Sequence, residues 1–432
     1  MRYLIGIDAA KAKNDIAIFN SDMGLVRKPF TVSQSQSDIQ KLAKSFAAID
    51  GDVRAVVEST GRYHLPIVEQ LSKERIFVSV VNPKLIKQFG DNSLRNVKND
   101  PADAKKICRY GILNWDSLRE YTNMDELRTQ LQLYNSQFEF FTSQKVSVKS
   151  NLIALLDMTY PGINQLFNSP VRPDGSEKWV DYAELFWHVD CVRSLSLHAF
   201  SEKYRHFCEK QGYHFQQSKC ESLYASAQDL IAVFPKNAQY KALVKMAIGN
   251  LKEVITHVET LRAAMNEIAS QLPEYPVVME MKGVGPSLGP QLMAEIGDPM
   301  RFKHREALPA FAGVDPGVNQ SGTLNQGSNS ASKTGNPRLR HTLFKIMEVL
   351  IKLHPEEDKV YQFMDKKRSE GKPYLVYMTA GANKFLRIYY GKTREYLHAL
   401  EADKETNEQF KSRESLPERS NTPANRCMPM KT

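Results

Sequence analysis

The first 112 residues alternate between short apolar, β-branched runs and stretches with helical spacing. Residues 3–7 (YLIGI), 16–20 (IAIFN) and 26–32 (VRKPFTV) are strand-like and are divided by the turn-forming KAKND and SDMG, the pattern of a three-stranded meander. Apolar positions then recur with helical period over 38–48 and 65–73, with strand-like runs at 54–58 (RAVVE) and 76–81 (IFVSVV) and a closing helix from about residue 100. Three hairpin strands followed by alternating helix and strand predict an α/β unit: a mixed sheet with helices on its faces.

The middle of the chain changes period. Val244, Ala247, Leu251, Val254, Val258, Leu261, Met265, Ile268 and Leu272 alternate by three and four over four heptads, the seam of a coiled coil. Leu127, Leu131, Tyr134, Phe138, Phe141, Lys145, Val148, Leu152 and Leu155 repeat the pattern, broken only at Lys145. Two such seams predict a long antiparallel coiled-coil linker with residues 160–237 inserted at its tip; the alternative is two helices in an ordinary bundle core. A mainly helical region follows, and from Glu401 onward polar, proline-containing sequence predicts a disordered tail.

Composition narrows the function classes. At 432 residues, 42% hydrophobic and 25% charged, the chain is long enough for several globular cores. No apolar run approaches the ~20 residues that span a bilayer, and MRYLIGID reaches an aspartate too early for a signal peptide, so a cytoplasmic protein is expected. Five cysteines without a C-x-x-C pair fit reduced thiols. His198, His206, Cys208, His214 and Cys220 crowd the insert, but their spacing favours ordinary core and surface roles over zinc. The net charge of +9 is uneven: residues 1–120 hold 19 basic and 14 acidic side chains and residues 281–400 hold 18 and 11, around an acidic middle. Two basic surfaces around such a middle suit a polyanion.

Candidate chemistry sits at strand ends. Asp8 closes the first strand in GIDAAK and Glu58 the fourth in VVESTG. If those strands are neighbours, as in a ribonuclease-H-like sheet, the two carboxylates lie side by side where such folds hold Mg²⁺. Asp100 and Asp103, three apart in NDPADAKK, can share a helix face; taken alone they also suit a helix cap, with Pro101 as the first helical residue. Together the four carboxylates suit two Mg²⁺ ions that would coordinate a scissile phosphate.

The C-terminal third offers phosphate-binding features. Lys282, Gly283 and Gly285 in MKGVGPSLGPQLMAEIGD lie between two helical patterns, resembling a helix-hairpin-helix whose backbone N–H groups bind phosphate without reading sequence; the alternative is a glycine turn between packed helices. A long polar loop then carries Ser321, Ser328, Ser330 and Ser332 beside Lys333, Arg338 and Arg340. Residue types alone favour a phosphate-contacting loop over a nucleophilic serine, because no G-x-S-x-G elbow or His/Asp pair accompanies Ser321. No G-x-x-x-x-G-K-[ST] loop occurs, so a nucleoside triphosphate is not expected to drive the reaction.

GIDAAK, ESTGRY and KNDPADA, followed by KGVGPSLGPQLMAEIGDPMRFKHREALPAFAGVDPGVNQSG and SKTGNPRLR, resemble the insertion-sequence one-ten family of DEDD transposases, relatives of Piv invertases. The resemblance implies a RuvC-like domain over 1–115, a coiled-coil linker over 116–275 with the insert, a serine transposase domain over 276–400 and a tail over 401–432. It implies a metal tetrad of Asp8, Glu58, Asp100 and Asp103, and makes Ser321 of the QSG motif the nucleophile that cuts and rejoins DNA through a phosphoserine ester. Donor and target DNA, a bridge RNA pairing with both, and a homo-oligomer, dimer or tetramer, built through the coiled coil are the implied partners, in a prokaryotic cytoplasm. The insert matches no family motif. A RuvC-like junction nuclease using water would need the tetrad but not Ser321, and a non-catalytic nucleic-acid-binding protein would need neither.

Overall fold

The computed structural model describes residues 1–59, 61–90, 100–121, 125–315, 320–321, 324–325, 331 and 333–414. β1 (Arg2–Ala9), β2 (Lys13–Asn20) and β3 (Leu25–Ser33) pair antiparallel in turn. After α1 (Gln36–Ala47), β4 (Asp52–Glu58) joins the free side of β1 in parallel; after α2 (Leu65–Lys73), β5 (Phe77–Val81) joins β4. The order β3-β2-β1-β4-β5 with these directions is the ribonuclease-H-like arrangement expected from the sequence.

Alternation along the strands divides the sheet between two cores. Ile5, Ile7, Ile16, Ile18, Ala55 and Val57 pack with α1 and α2 through Ile39, Phe46, Ile67 and Leu71. The intervening Leu4, Ala17, Phe19 and Val56 pack under α4 (Asp100–Leu113) through Ala104, Ile107 and Cys108. With both faces covered, the strands read as almost continuous apolar runs. The Gly6 N–H donates to the Cys108 sulfur at 2.9 Å and the thiol donates to the Ala17 carbonyl at 3.0 Å, which fixes α4 over β1 and β2. Burial pushes this thiol up to about 12, so it is a structural group and not a nucleophile. One helix was not foreseen: α3 (Pro83–Gly90) starts on a proline, a usual first helical residue, and buries Ile86 in the α4 core.

Residues Met1–Asn123 and Met124–Thr432 form separate compact units. The second begins with α5 (Glu126–Asp157), followed by α6 (Lys178–Leu185), α7 (Asp190–Arg193), α8 (Leu197–Gln211), α9 (Gln217–Asp229) and α10 (Ala238–Ser270). Leu131 and Phe138 near the start of α5 share a core with Val258 and Met265 of α10, while Leu152 and Leu156 share one with Val244 and Leu251, so the helices run antiparallel. The α10 heptad side chains other than Leu261 are thus buried within a single chain, while on α5 Leu131, Phe138 and Leu152 are buried and the rest partly so. Leu251→Ala should lower the unfolding free energy of this unit by about 2–5 kcal/mol, the usual cost of emptying a buried leucine site. Urea denaturation would detect it, and an unchanged midpoint would remove Leu251 from the core.

The insert packs its aromatic residues into the core shared by the end of α5 and the start of α10. Tyr160, Trp179, Tyr182, Phe186, Phe200, Tyr204 and Phe207 are buried together, and Cys208 and Cys220 lie among them with thiols pushed up by burial. Toward the other end of the helix pair, α11 (Tyr275–Met279), α12 (Leu288–Ile296), α13 (Ala307–Ala312), α14 (Pro337–Leu353), α15 (Lys359–Ser369) and α16 (Tyr374–Glu414) build a second core through Val278, Leu292, Leu308, Leu343, Val360 and Phe385. Arg128 and Glu274, both buried, pair through two hydrogen bonds, one of 2.8 Å, locking the start of α5 to α11. The expected disordered tail needs correction: α16 continues through 401–414, and residues 415–432 lie outside the described set. The strong helix formers of ALEADKETNEQFKSRE carry the helix up to the region before Pro417. Among the described residues no helix is long and apolar enough to cross a membrane.

Candidate active site

Strand register gathers carboxylates at one end of the first sheet. Ile7 of β1 pairs with Val57 of β4 in parallel, so Asp8 and Glu58, the next residues, come side by side. Asp8 follows Leu4 and Gly6 by even steps, and Glu58 follows Val56, so both point to the face covered by α4. Cys108 sits over Gly6 while Gly111 lies against Leu4, so α4 runs opposite to β1 and its first turn reaches the Asp8 end. Asp103 precedes Ala104 in the sheet-facing stripe of that helix. Asp8, Glu58 and Asp103 are each half-buried.

The electrostatics reflect this crowding. The Glu58 carboxyl is held above its usual range, first by burial and then by the negative charges of Asp8 and Asp103, with Lys106 opposing them. α4 starts at Asp100 itself, which makes Asp100 a first-turn residue rather than a cap; its side chain lies outside the described residues. Among the described residues no three His, Cys, Asp or Glu side chains are grouped tightly enough to hold an ion. The donor chemistry nevertheless fits a hard divalent cation: the converging groups are carboxylate oxygens, and their mutual repulsion is what a cation would relieve.

The sequence reading missed Asp15. It stands opposite Asp8 in the antiparallel register, on the same face, and is buried. Thr31 Oγ1 donates to Asp15 Oδ1 at 2.5 Å and Lys13 Nζ lies 3.1 Å from Oδ2, so its oxygens are already engaged. The alternation of KNDIAIFN carried this signal, because Asp15 shares parity with Ala17 and Phe19.

In the second unit, Ser321 lies in β6 (Gln320–Ser321), paired antiparallel with β7 (Leu324–Asn325), and Ser321 opposes Leu324. The side chain of Ser321, and residues Ser328, Ser330 and Ser332, lie outside the described set. Lys282 is exposed. Gly283 adopts φ 79° and packs so closely that a Cβ would stand 2.8 Å from Leu350 Cγ, which explains this glycine by packing on α14. The Gly285 carbonyl accepts from Gly289 N–H at 2.8 Å, opening α12. Lys333 is exposed, with φ 52°. Arg338 Nη1 donates to Ser136 Oγ at 2.8 Å, and Arg340 Nη1 donates to the Ala312 carbonyl at 2.9 Å. Arg338 and Leu350 are about 18 Å apart along α14 by helical rise, so the glycine turn and the Lys333–Arg340 cluster occupy opposite ends of that helix.

Strand order and edge carboxylates place the first unit in the ribonuclease-H-like class. The family is more particular: a DEDD transposase model of the IS110 group matches residues 5–161, and the Transposase IS116/IS110/IS902 family matches residues 275–362. The two matches together take in more than half of the chain, which belongs to this family of transposases, enzymes that cut and rejoin DNA. Residues between 161 and 275, including the insert, fall in neither match. No curated protein matches. Solved structures similar to part of the chain include T. thermophilus RuvC in complex with a Holliday junction substrate, at 11% identity over 27% of this chain and 96% of that one, with a TM-score of 0.21. A second Thermus thermophilus RuvC structure matches at 12% identity over the same shares, also at 0.21.

Proposed function

We propose that this transposase cuts and rejoins DNA through a covalent phosphoserine intermediate on Ser321, with Asp8, Glu58, Asp100 and Asp103 forming the acidic centre at which the phosphate is handled. The observation that supports the acidic centre is the convergence of Asp8, Glu58 and Asp103 at one sheet end, where burial first and the neighbouring negative charges second hold the Glu58 carboxyl above its usual range. Mg²⁺ held by the four carboxylates would neutralise charge on the phosphate and activate oxygen nucleophiles.

The chain's own residues define the remaining chemistry. Ser321 Oγ attacks phosphorus, forming an Oγ–P bond while a P–O bond to the neighbouring nucleotide breaks; the serine proton is passed to a base and the leaving strand departs as a hydroxyl. The reverse attack by a new strand hydroxyl expels Ser321. One phosphoester replaces another at each step, so no triphosphate is consumed. The residue after the serine in sequence is Gly322, which carries no side chain.

The test is to incubate wild-type protein with DNA carrying the insertion ends in Mg²⁺ and denature it. A DNA-linked peptide containing Ser321 is expected by mass mapping. DNA cleavage with no protein adduct under trapping conditions would instead make water the nucleophile and the protein a junction-type nuclease.

A bridge RNA is the proposed guide, supported by the family and by the basic balance of residues 1–120 and 281–400. RNA affinity should fall by about 10²-fold or more between 50 and 200 mM salt, as several neutralised phosphates release counterions. Affinity that is flat in salt, measured by filter binding, would argue against this surface.

A further inference from the structure

Glu295 in α12 is nearly fully buried, and its carboxylate forms no ion pair among the described residues. Asn135 Nδ2 of α5 donates to its Oε1 at 2.7 Å, and Asn336 Nδ2 donates to its Oε2 at 2.7 Å. Asn336 is the N-cap of α14, its Oδ1 accepting from the N–H groups of Arg338 at 2.9 Å and Leu339 at 3.2 Å. The amide of Asn336 is therefore oriented: its oxygen faces α14 and its nitrogen faces Glu295.

Asn336 also ends the polar loop that carries Ser321, and the two ends of that loop are clamped together. Asn336 N–H donates to the Phe311 carbonyl at 2.7 Å, and Lys333 N–H to the Gly313 carbonyl at 3.2 Å. A Cβ on Gly335 would stand 2.2 Å from the Phe311 oxygen and 2.5 Å from Gly313 N, so the two backbones pass with no room between them. Arg340 bridges the ends through the Ala312 and Gly335 carbonyls. Beside these backbone and Arg340 bonds, the Glu295 carboxylate ties Asn336 at the loop exit to α5 and α12.

We infer that Glu295 is a positioning residue for DNA strand transfer, which by orienting Asn336 fixes the base of the loop and so limits where Ser321 can reach. This rests on the reading of Ser321 as the nucleophile. Misplacement of a reacting group by about 1 Å can cost on the order of 10²-fold in rate, so a clamp remote from the chemistry can matter as much as a contact within it.

The polarity of the network supplies the test. In Asn336→Asp the cap oxygen remains, but a second carboxylate faces Glu295 and the donor is lost. In Glu295→Gln the new amide can accept from Asn336 and donate to Asn135, whose Oδ1 accepts no hydrogen bond among the described residues and can be turned inward by an amide flip. In the double variant Glu295→Gln/Asn336→Asp the new glutamine amide donates to the new carboxylate at position 336 and accepts from Asn135, with the original net charge restored.

Two readouts are needed: single-turnover formation of the protein–DNA adduct, with DNA affinity measured alongside, and amide hydrogen exchange of peptides covering 314–335. Asn336→Asp should slow adduct formation about tenfold or more with DNA affinity unchanged, and should speed exchange in 314–335 selectively. Glu295→Gln should keep both near wild type, and the double variant should recover what Asn336→Asp loses. Restored exchange protection without restored adduct formation would overturn the positioning role, as would a wild-type adduct rate in Asn336→Asp. Unchanged exchange in folded Asn336→Asp would overturn the anchor itself. Absence of any adduct from the wild type would instead overturn the serine reading, and with it the catalytic half of the inference, while the exchange data still decide the anchor.

Discussion

Ser321→Ala protein is expected to bind DNA and RNA as the wild type does but to form no covalent adduct, with strand exchange reduced by about 10⁴-fold or more, the scale on which removal of a catalytic nucleophile acts. Ser328→Ala and Ser332→Ala should still form the adduct. The three residues share one polar loop, so a general effect of the loop on DNA binding would strike all of them. Only Ser321 lies in the matched QSG sequence and in the short pairing of β6 with β7, which ties its backbone to Leu324. Alanine removes the hydroxyl proposed to attack and leaves that pairing available, since neither backbone group changes. Denaturing gels of trapped reactions, with mass mapping of the linked peptide, separate the outcomes. Normal cleavage by Ser321→Ala would make water the nucleophile and leave the acidic centre as the whole of the catalytic machinery.

The parts of this molecule legible in its sequence are those governed by local period. Alternation placed all five strands of the first unit, and the end positions of Asp8 and Glu58 followed from it; their adjacency required the pairing of β1 with β4, which a propensity pattern does not contain. Asp15 was readable by parity and was passed over because it stands at the start of a strand rather than the end. The heptads announced two long helices and their antiparallel pairing, but period alone does not distinguish a seam between chains from one closed within a chain; burial of Leu251 and Val258 against α5 settles those positions as internal. Gly283 and Gly285 looked like a phosphate turn, and Gly283 turns out to be demanded by Leu350, a contact 67 positions away in sequence that no local motif records. The same distance in sequence hid the Glu295 network. A glutamate in AEIGD reads as one more charged helical residue until the fold buries it between two asparagines.

Glu58→Gln should do two opposite things: reduce strand exchange by about 10²-fold or more, since even a lost outer partner of a metal ligand has effects of 10–100-fold, and raise the thermal stability of metal-free protein at neutral pH. The second effect follows from the direction of the Glu58 shift. Burial and the charges of Asp8 and Asp103 hold its pKa above that of the unfolded chain, so folding favours the protonated form. That contribution to stability is fully present below the unfolded value of about 4.3 and is lost as pH rises through the folded value, leaving a crowded carboxylate that opposes folding at pH 7. Glutamine keeps the shape without the charge. In EDTA, melting of the two proteins should therefore converge near about pH 4 and separate toward neutrality, with Glu58→Gln the more stable. Mg²⁺ should then stabilise the wild type more than the variant, because the cation relieves a repulsion that only the wild type retains in full. Wild type at least as stable as Glu58→Gln at pH 8 in EDTA would mean that neither burial nor the neighbouring charges of Asp8 and Asp103 oppose the ionised Glu58. A variant that gains stability while losing strand exchange would mark this sheet end as a place where folding is strained for the sake of chemistry.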